Sequence, residues 1–357
     1  MTTTDDFLRA IAVHGLDGVP SGSVSLSPTR DEWRQVAARL AVERLTGMAA
    51  LLHGKGVLRL DDESTQELAE LDARWSAHTL AAEDVQLSLA RTLTADGIPF
   101  RILKGSALAE LAWEWGEARR WVDADVLVPT DHLDDVITNC RADGATRLAP
   151  EIRPGFDRRF AKSVTLRSAA GPEIDLHRSL VLGPHTFLVP EADLWADPRS
   201  YVVDGVALST LSAEATLVHT CMHATIAGAS RLASLRDVVE SFPGCSPDVA
   251  SSLASRWRAT PMVVAAGEAV AARLGLHDHP FVRWATTRSP SDDERSIAAV
   301  YLPGRRTNRN MALASVRHIP GVVDKVRYAL AMAWPSAAHR AWRGRSLSDQ
   351  VRRIGRR

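Results

Sequence analysis

The sequence predicts an α+β fold, with a small mixed β-sheet between N-terminal helices and a helical C-terminal lobe. Two observations, one on pattern and one on composition, support this prediction. Apolar residues recur at helical spacing before residue 97 and after residue 211, whereas the segment between them contains short apolar runs that end at glycine or proline. With 45% hydrophobic and 24% charged residues, the 357-residue chain also has the composition of a globular protein that buries a core.

Residues 1–96 are predicted to form an N-terminal helical region. A loop is expected at residues 18–27, followed by two helices. The first helix is capped by Thr29 and ends at Gly54 or Gly56. The second begins at residue 61 or 62 and ends at Gly97.

Residues 97–210 are predicted to form the core that contains the sheet. Strands are expected at 99–103, 121–128, 162–167 and 173–177, with helices after the first two and a hairpin joining the last two. A further hairpin is expected at 201–208. Residues 211–345 are predicted to form a helical lobe, with helices at 213–227, 231–242, 246–256 and 261–274, and residues 346–357 a basic tail.

The motif Lys104-Gly105-Ser106 directly follows a predicted strand and opens a helix. Glycine lets the backbone approach a ligand closely, and the N-terminus of a helix offers free N–H groups to an anion. Ser106 adds a hydroxyl group and Lys104 a cation, so this corner suits a triphosphate. A Gly-Ser pair at a helix start is also common in ordinary turns, and the motif alone does not separate the two interpretations.

Asp123 and Asp125 lie two residues apart in the predicted strand 121–128. Their carboxylates therefore point to one face of the strand, within about 7 Å of each other. Two such anions raise each other's pKa, and a divalent cation removes that cost; Mg²⁺ prefers carboxylate oxygens together with substrate phosphate. The alternative is a half-exposed strand with two solvated aspartates, although aspartate is depleted in strands.

The predicted strand 173–177 places Glu173, Asp175 and His177 on one face. If this strand neighbours the one with the two aspartates, Asp175 can complete a set of three carboxylates. Two metal ions about 3.5–4 Å apart could then assist an in-line displacement at phosphorus. Taken alone, the same alternation is typical of an edge strand with a polar face.

Taken in order, these motifs resemble the uncharacterised nucleotidyltransferase family of the polymerase-β-like superfamily. The resemblance rests on Leu-Lys-Gly after a strand, Arg119 four residues before Asp-x-Asp-x-Leu-Val, and a later Asp-x-His strand. It covers residues 80–345, including a Trp-Pro-Ser motif at 334–336 and four residues of the predicted C-terminal lobe: His219, His223, Arg231 and Asp237. Ala124 stands where a larger aliphatic residue is usual, and Trp113 and Trp115 replace a region that usually contains tyrosine.

The resemblance implies a polymerase-β-like nucleotidyltransferase core and transfer of a nucleoside monophosphate from an NTP, such as ATP, to a hydroxyl group of a small molecule or peptide. It implies Mg²⁺ or Mn²⁺ as the cofactor and natural-product biosynthesis, for example lasso-peptide tailoring, as a setting. The expected catalytic residues and metal ligands are Asp123, Asp125 and Asp175, the last also helping to deprotonate the acceptor hydroxyl. The expected nucleotide-binding residues are Lys104, Gly105, Ser106 and Arg119.

Five residues are candidates for the acceptor site: His177, His219, His223, Arg231 and Asp237. His177 could orient Asp175 or contact the acceptor, and a purely structural role fits it equally well. His219 and His223 are four residues apart and share a helix face. Arg231 and Asp237 could form an ion pair between lobes or line the cleft. A phosphotransferase on the same site, a toxin that modifies RNA or protein, and a non-catalytic nucleotide-binding regulator or scaffold remain alternative functions.

The chain has no net charge, with 43 basic and 43 acidic residues, so we expect no DNA partner. Residues 305–357, however, contain thirteen Lys or Arg against two Asp, a net charge of +11. This region could contact an anionic partner or a membrane surface, or it could be a docked helix followed by a solvated end. The N-terminus does not resemble a signal peptide, no apolar stretch suits a transmembrane segment, and the three scattered cysteines indicate no disulfide framework, so we expect a cytoplasmic protein.

Overall fold

The computed structural model describes residues 3–17, 19, 25–302 and 304–344. In these residues the chain forms a five-stranded mixed sheet, a two-stranded sheet and many helices, which confirms the predicted α+β class. None of the described helices is both long and apolar enough to cross a bilayer. The predicted basic tail, residues 346–357, and most of the predicted loop at 18–27 lie outside the described residues.

The N-terminal region contains four helices where the sequence pattern predicts two: α1 Thr4–Val13, α2 Arg30–Glu43, α3 Thr46–Gly54 and α4 Asp62–Ala95. The helix predicted to run from Thr29 to Gly54 or Gly56 breaks at Arg44. The backbone of Arg44 is left-handed, with φ 56°, and its N–H closes α2 by donating to the carbonyls of Leu40 and Ala41.

The sheet has the strand order β1-β2-β5-β4-β3. Its strands are β1 Arg101–Ile102, β2 Asp123–Leu127, β3 Thr146–Arg147, β4 Ser163–Arg167 and β5 Glu173–His177. The predicted hairpin at 162–177 is confirmed, since β4 and β5 pair antiparallel. β5 also pairs parallel with β2, in a register that sets Asp175 opposite Asp125. A second hairpin, β6 Arg199–Val203 and β7 Val206–Thr210, forms the two-stranded sheet.

The remaining helices lie between the strands in sequence or build the C-terminal lobe. Between the strands come α5 Ser106–Leu111, α6 Leu133–Ala142, α7 Phe156–Phe160, α8 His185–Leu188 and α9 Glu191–Trp195. The lobe begins with α10 Ala213–Ile226, α11 Leu232–Glu240, α12 Pro247–Arg256 and α13 Thr260–Ala269, which match the four predicted helices. It continues with α14 Pro280–Thr286, α15 Asp292–Ala298, α16 Asn308–His318, α17 Val322–Ala333 and α18 Ala337–Trp342.

Helices α1–α3 share one hydrophobic core with the C-terminal lobe, whereas the second half of α4 packs on the sheet in another core. Polar contacts at α11 join helices α1–α3 to the C-terminal lobe. The fully buried Arg236 donates to the carbonyls of Ala12 and His14 at the end of α1, both at 2.9 Å. Glu43 accepts the N–H of Leu232 at 2.8 Å, at the start of α11. The first helices are therefore fixed against the lobe, and the predicted division at residues 96 and 210 stays a prediction.

Candidate active site

The two aspartates of β2 line a cleft between the sheet and helices α10 and α11. The parallel pairing with β5 places Asp175 and His177 beside Asp125, although neither is among the residues that line this cleft. Ala124 and Val126 of β2 point to the other face and are buried in the core of the sheet. The cleft has a volume of about 590 Å³. It is lined by Arg44, Lys104, Gly105, Trp113, Arg119, Arg120, Trp121, Asp123, Asp125, His223, Arg231, Ala233, Ser234 and Asp237.

One wall of the cleft is the start of α5. Gly105 precedes the first residue of this helix with φ 54° and ψ −124°, a conformation that side chains disfavour. A Cβ at this position would lie only 3.3 Å from the Trp121 indole, so a side chain there would also be crowded. The Ser106 hydroxyl does not join Gly105 in the cleft. It is buried, accepts from Gln86 Nε2 at 2.6 Å and contacts the Tyr201 hydroxyl at 2.9 Å.

Asp125 is the most deeply buried carboxylate of the site, with 4% of its surface exposed. Burial disfavours its charge, but Lys104 Nζ lies 2.9 Å from Oδ2 and His177 Nε2 donates to Oδ1 at 2.9 Å. These two contacts outweigh burial and hold the pKa of Asp125 well below its ordinary value. Burial opposes the charge of Lys104 too, yet Asp125 and Asp123 raise its pKa.

Among the residues that the structure describes, one set of carboxylate and imidazole groups is close enough to hold a metal ion: Asp125, Asp175 and His177, whose ligand atoms lie within 4.8 Å of one another. The donor set suits a divalent cation, since carboxylate oxygens and imidazole are ligands for such ions. Two ammonium groups balance the carboxylates, because Lys162 Nζ lies 3.7 Å from Asp175 and Lys104 Nζ lies 2.9 Å from Asp125.

His177 orients Asp125 more directly than Asp175. Its Nε2 is 2.9 Å from Asp125 but 3.9 Å from Asp175, and its Nδ1 faces the carbonyl of Ser179 at 3.0 Å. Of the roles considered for His177, orientation of Asp175 is therefore less direct than orientation of Asp125. The reason is the neighbouring strand, because its alignment with β5 puts Asp125 within reach of the ring.

Asp123 lies in the same cleft but outside this close set. Its pKa is raised, first by burial and then by the negative charge of Asp125. Lys104 and Arg44 oppose the increase. The pKa values of the two aspartates on this strand therefore move in opposite directions, because Asp125 has cationic partners in direct contact and Asp123 has only more distant ones.

Arg119 connects the core to the C-terminal lobe. Its Nε and Nη2 donate to Asp237 at 2.8 and 3.1 Å, a two-pronged pair, and its Nη1 donates to the Gly105 carbonyl at 3.0 Å. Trp113 Nε1 also donates to Asp237, at 2.8 Å. Asp237 thus forms the ion pair between lobes with Arg119. Arg231 lines the cleft and donates to the Val42 carbonyl at 3.2 Å.

His219 and His223 lie on the α10 side of the site, their ring centroids 6.5 Å apart. The pKa of His219 falls to about 3, mainly through burial and then through the nearby Lys104. The charge of Lys104 is the main reason that the pKa of His223 lies well below its ordinary value, and burial adds to it. Both rings therefore stay neutral near pH 7, and the buried His219 Nδ1 atom has no hydrogen-bond partner among the residues that the structure describes.

Arg44 is a cleft residue that sequence reasoning missed. It comes from the junction of α2 and α3, next to Gly47, where a Cβ would meet the Ala118 carbonyl oxygen at 2.3 Å. Burial lowers the pKa of Arg44 and nearby Arg231 lowers it further, while Asp123 opposes both. No hydrogen bond or ion pair occupies its guanidinium within the described ranges. The local sequence continues a helical pattern through Arg44, so no sequence signal marked the break that brings this residue to the cleft.

Comparison with curated proteins found no match to this chain. A family model described as an uncharacterised nucleotidyltransferase matches residues 29–259, more than half of the chain. The match includes Arg44, the start of α5, both strands with the aspartates, and helices α10 and α11. It agrees with the acidic cleft described above, and the chain belongs to the uncharacterised nucleotidyltransferase family.

Proposed function

We propose that this protein is a metal-dependent enzyme that transfers a nucleoside monophosphate from an NTP to a hydroxyl group of a small molecule or peptide. The observation that carries the proposal is the pairing of β2 with β5, which sets Asp125 opposite Asp175 beside the glycine-led start of α5. A polyanion and a cation binding together would satisfy both the carboxylates and the basic side chains of this cleft.

The reaction forms a bond between the acceptor hydroxyl oxygen and the α-phosphorus of the NTP, and it breaks the bond from that phosphorus to the β-phosphate oxygen. Pyrophosphate leaves with the bonding electrons. We assign the hydroxyl proton to a carboxylate oxygen of Asp175. Asp123, Asp125 and Asp175 would hold Mg²⁺ or Mn²⁺, which when bound supplies positive charge to the phosphate oxygens and lowers the pKa of the hydroxyl group.

The basic residues of the cleft would bind the triphosphate. Lys104 would leave Asp125 and contact a phosphate oxygen of the entering triphosphate. The carboxylate of Asp125 would then be free of this contact. Gly105 and Ser106 would contribute backbone N–H groups at the start of α5, because the Ser106 hydroxyl is already bonded elsewhere. Arg119, fixed by Asp237, and Arg44 would face the charge that develops on the leaving group.

The acceptor would lie beyond the carboxylates, toward α10. His177 would keep Asp125 oriented, and the neutral rings of His219 and His223 can accept a hydrogen bond from a hydroxyl group. Arg231 and Asp237 border the same side. A role in natural-product tailoring, such as that of lasso peptides, follows from the family resemblance alone and stays a prediction.

The first test is calorimetric titration of ATP, GTP, CTP and UTP, with and without Mg²⁺ or Mn²⁺. We expect one nucleotide to bind only with metal, and the Asp123→Ala/Asp125→Ala variant to lose that binding. The matched control is Asp134→Ala/Asp135→Ala, since these neighbouring aspartates are exposed on α6. Absence of metal-dependent binding for all four nucleotides would contradict the proposal.

The second test identifies the phosphorus that reacts. With water as the default acceptor, slow turnover of the bound nucleotide should give nucleoside monophosphate and pyrophosphate. Nucleoside diphosphate and phosphate would instead indicate attack at the γ-phosphorus and a phosphotransferase. Binding without any turnover, even with supplied hydroxyl compounds, would favour a nucleotide-binding regulator or scaffold.

A further inference from the structure

Large apolar side chains that remain exposed are concentrated near the end of the described chain. Seven such residues lie between positions 302 and 342, each 51–76% exposed: Leu302, Leu313, Val322, Val323, Val326, Leu330 and Trp342. Elsewhere in the described residues they are isolated, as Val42, Leu80, Leu182, Val202 and Val249 are. Single exposed apolar residues need no explanation, but a concentration of them marks an interaction surface.

Helix α17 carries four of these residues on one side. Its opposite side is buried through Tyr328, which stacks on Phe156 at 5.7 Å and meets Phe160 at 5.3 Å between ring centroids. With about 100° of rotation per residue, the exposed side spans roughly 100°. In order around the helix it carries Val322, Val326, Leu330 and Val323.

Cations border this apolar face on both sides. By the same rotation, Lys325 lies about 60° beyond one edge, Val322, and Arg327 lies about 40° beyond the other edge, Val323. Arg327 is exposed and Lys325 is half-buried, and the single acidic residue of the helix, Asp324, lies toward the buried side and contacts Arg327 at 3.0 Å. Lysine and arginine at these borders can lay their stems along an apolar surface and keep the charge in water.

A groove of about 940 Å³, here called the α17 groove, lies between α16, α17 and α18. Its walls include Leu313, Val316 and Met332, and Arg309, Arg340 and Arg343 line it as well. Within the described part of the chain Arg309 contacts no acidic group. Arg343 lies 5.4 Å from the ring of the exposed Trp342. Apolar walls and unneutralised arginines occur together in this groove.

We infer that α17 and the α17 groove bind the surface of an anionic phospholipid bilayer. An apolar face bordered by cations is the arrangement with which a helix lies in the interface of a bilayer, and tryptophan prefers the same depth. Residues 305–344 contain eight Lys or Arg against Asp324, a net charge of +7 that complements anionic headgroups, whereas a second copy of this surface would bring like charges together. This inference does not depend on the proposed function.

The test is flotation of the full chain with vesicles of phosphatidylcholine, alone or with phosphatidylglycerol. We expect binding to the mixed vesicles, and a decrease when salt rises from about 0.05 to about 0.5 M, because the screening length shortens. No binding to either vesicle type would overturn the inference. Equal binding to both vesicle types would show that the cations do not contribute to binding and would overturn that part of the inference.

Two variants test the apolar face itself. Val326→Asp should reduce partitioning by roughly tenfold or more, because it replaces apolar contact with a repelled charge. Val249→Asp on α12 is the matched control, since the two side chains are 51% and 53% exposed. Val322→Asp repeats the test if melting shows that Val326→Asp is unstable. Unchanged binding of both variants would overturn the inference, and so would a dimer in light scattering that Val326→Asp dissociates.

Discussion

The active-site cleft and the α17 groove both present several basic side chains, but these side chains have different neighbours. In the cleft, Lys104 and Arg119 lie against the carboxylates of Asp125 and Asp237. In the α17 groove, Arg309 has apolar neighbours such as Leu313. Cations beside buried acids form a site whose charges balance one another. Cations beside exposed apolar groups suit an amphiphilic surface.

The charged residues of the two regions should also contribute differently to the stability of the fold. The pairs Lys104–Asp125 and Arg119–Asp237 of the cleft are largely buried, so removal of one partner leaves the other uncompensated. Near α17, Arg309, Arg327 and Arg343 are exposed to solvent, where ion pairs contribute little and substitutions are tolerated. Substitutions in the two regions should therefore differ sharply in effect.

The largest effect is expected for Asp125→Asn, which keeps the shape of the side chain but removes its charge. Activity should fall by about 10³-fold or more, because both the metal site and the charge opposite Lys104 are lost. The free energy of unfolding should also fall by about 3 kcal/mol, since Lys104 is left without its buried partner. Turnover assays and urea denaturation measure the two losses.

Asp134→Asn is the control for this variant, because Asp134 is exposed on α6. It should leave both quantities nearly unchanged. Retention of activity in Asp125→Asn would remove the basis for a metal site on β2, and the cleft would then resemble the α17 groove in being a binding surface only.

Lys104→Ala separates the two roles given to this lysine. Without nucleotide, affinity for Mn²⁺ should rise by about tenfold, because an ammonium group 2.9 Å from Asp125 no longer opposes the metal. Activity should nevertheless fall by about 10²-fold, since a phosphate contact is lost. Calorimetry with Mn²⁺ alone and turnover assays provide the two readings.

Lys55→Ala is the matched control for Lys104→Ala, because Lys55 is exposed and its ammonium group lies over the Trp115 ring, 3.9 Å from the centroid, away from the carboxylates of the cleft. If Lys104→Ala lowers metal affinity instead, then Lys104 stabilises the carboxylates without competing for them. The proposed exchange of its contact from Asp125 to phosphate would be wrong in that case.

Local pattern was sufficient to predict the strands of the site and the start of α5. Alternation predicts that Asp123 and Asp125 share a face, and glycine before a helix predicts the close approach at Gly105. The pairing of β2 with β5 could be stated only as a condition. The sequence of a strand does not identify the strand that pairs with it. The parallel register that brings His177 to Asp125 joins segments 52 residues apart in the sequence.

Other features of the site depend on packing between distant segments. The Ser106 hydroxyl turns toward Gln86 and Tyr201, a helix and a hairpin that come together only in the folded chain. The left-handed conformation of Arg44 is not a property of its local sequence, which continues a helical pattern. α1 could have been predicted from Thr3, which caps it, and from the apolar spacing of its buried residues.

Arg44→Gln should raise the KM for the NTP by about tenfold and change kcat by less than about threefold, because a charged contact is lost without removal of a metal ligand. Arg34→Gln on α2 is the control, since Arg34 is exposed and pairs only with Asp31 among the described residues. Steady-state kinetics with the nucleotide identified by calorimetry give both constants. Equal effects of the two substitutions would place Arg44 outside the nucleotide site.

The smallest effect on catalysis is expected for Arg309→Ala in the α17 groove. The KM for the NTP should stay within about twofold and the free energy of unfolding within about 0.5 kcal/mol, because the side chain has no described charged partner to lose. Binding to vesicles with phosphatidylglycerol should decrease by about fivefold, as expected for one basic contact at a membrane surface. A rise in KM similar to that of Arg44→Gln would show that the groove and the cleft serve the same ligand, and the distinction between the two regions would fail.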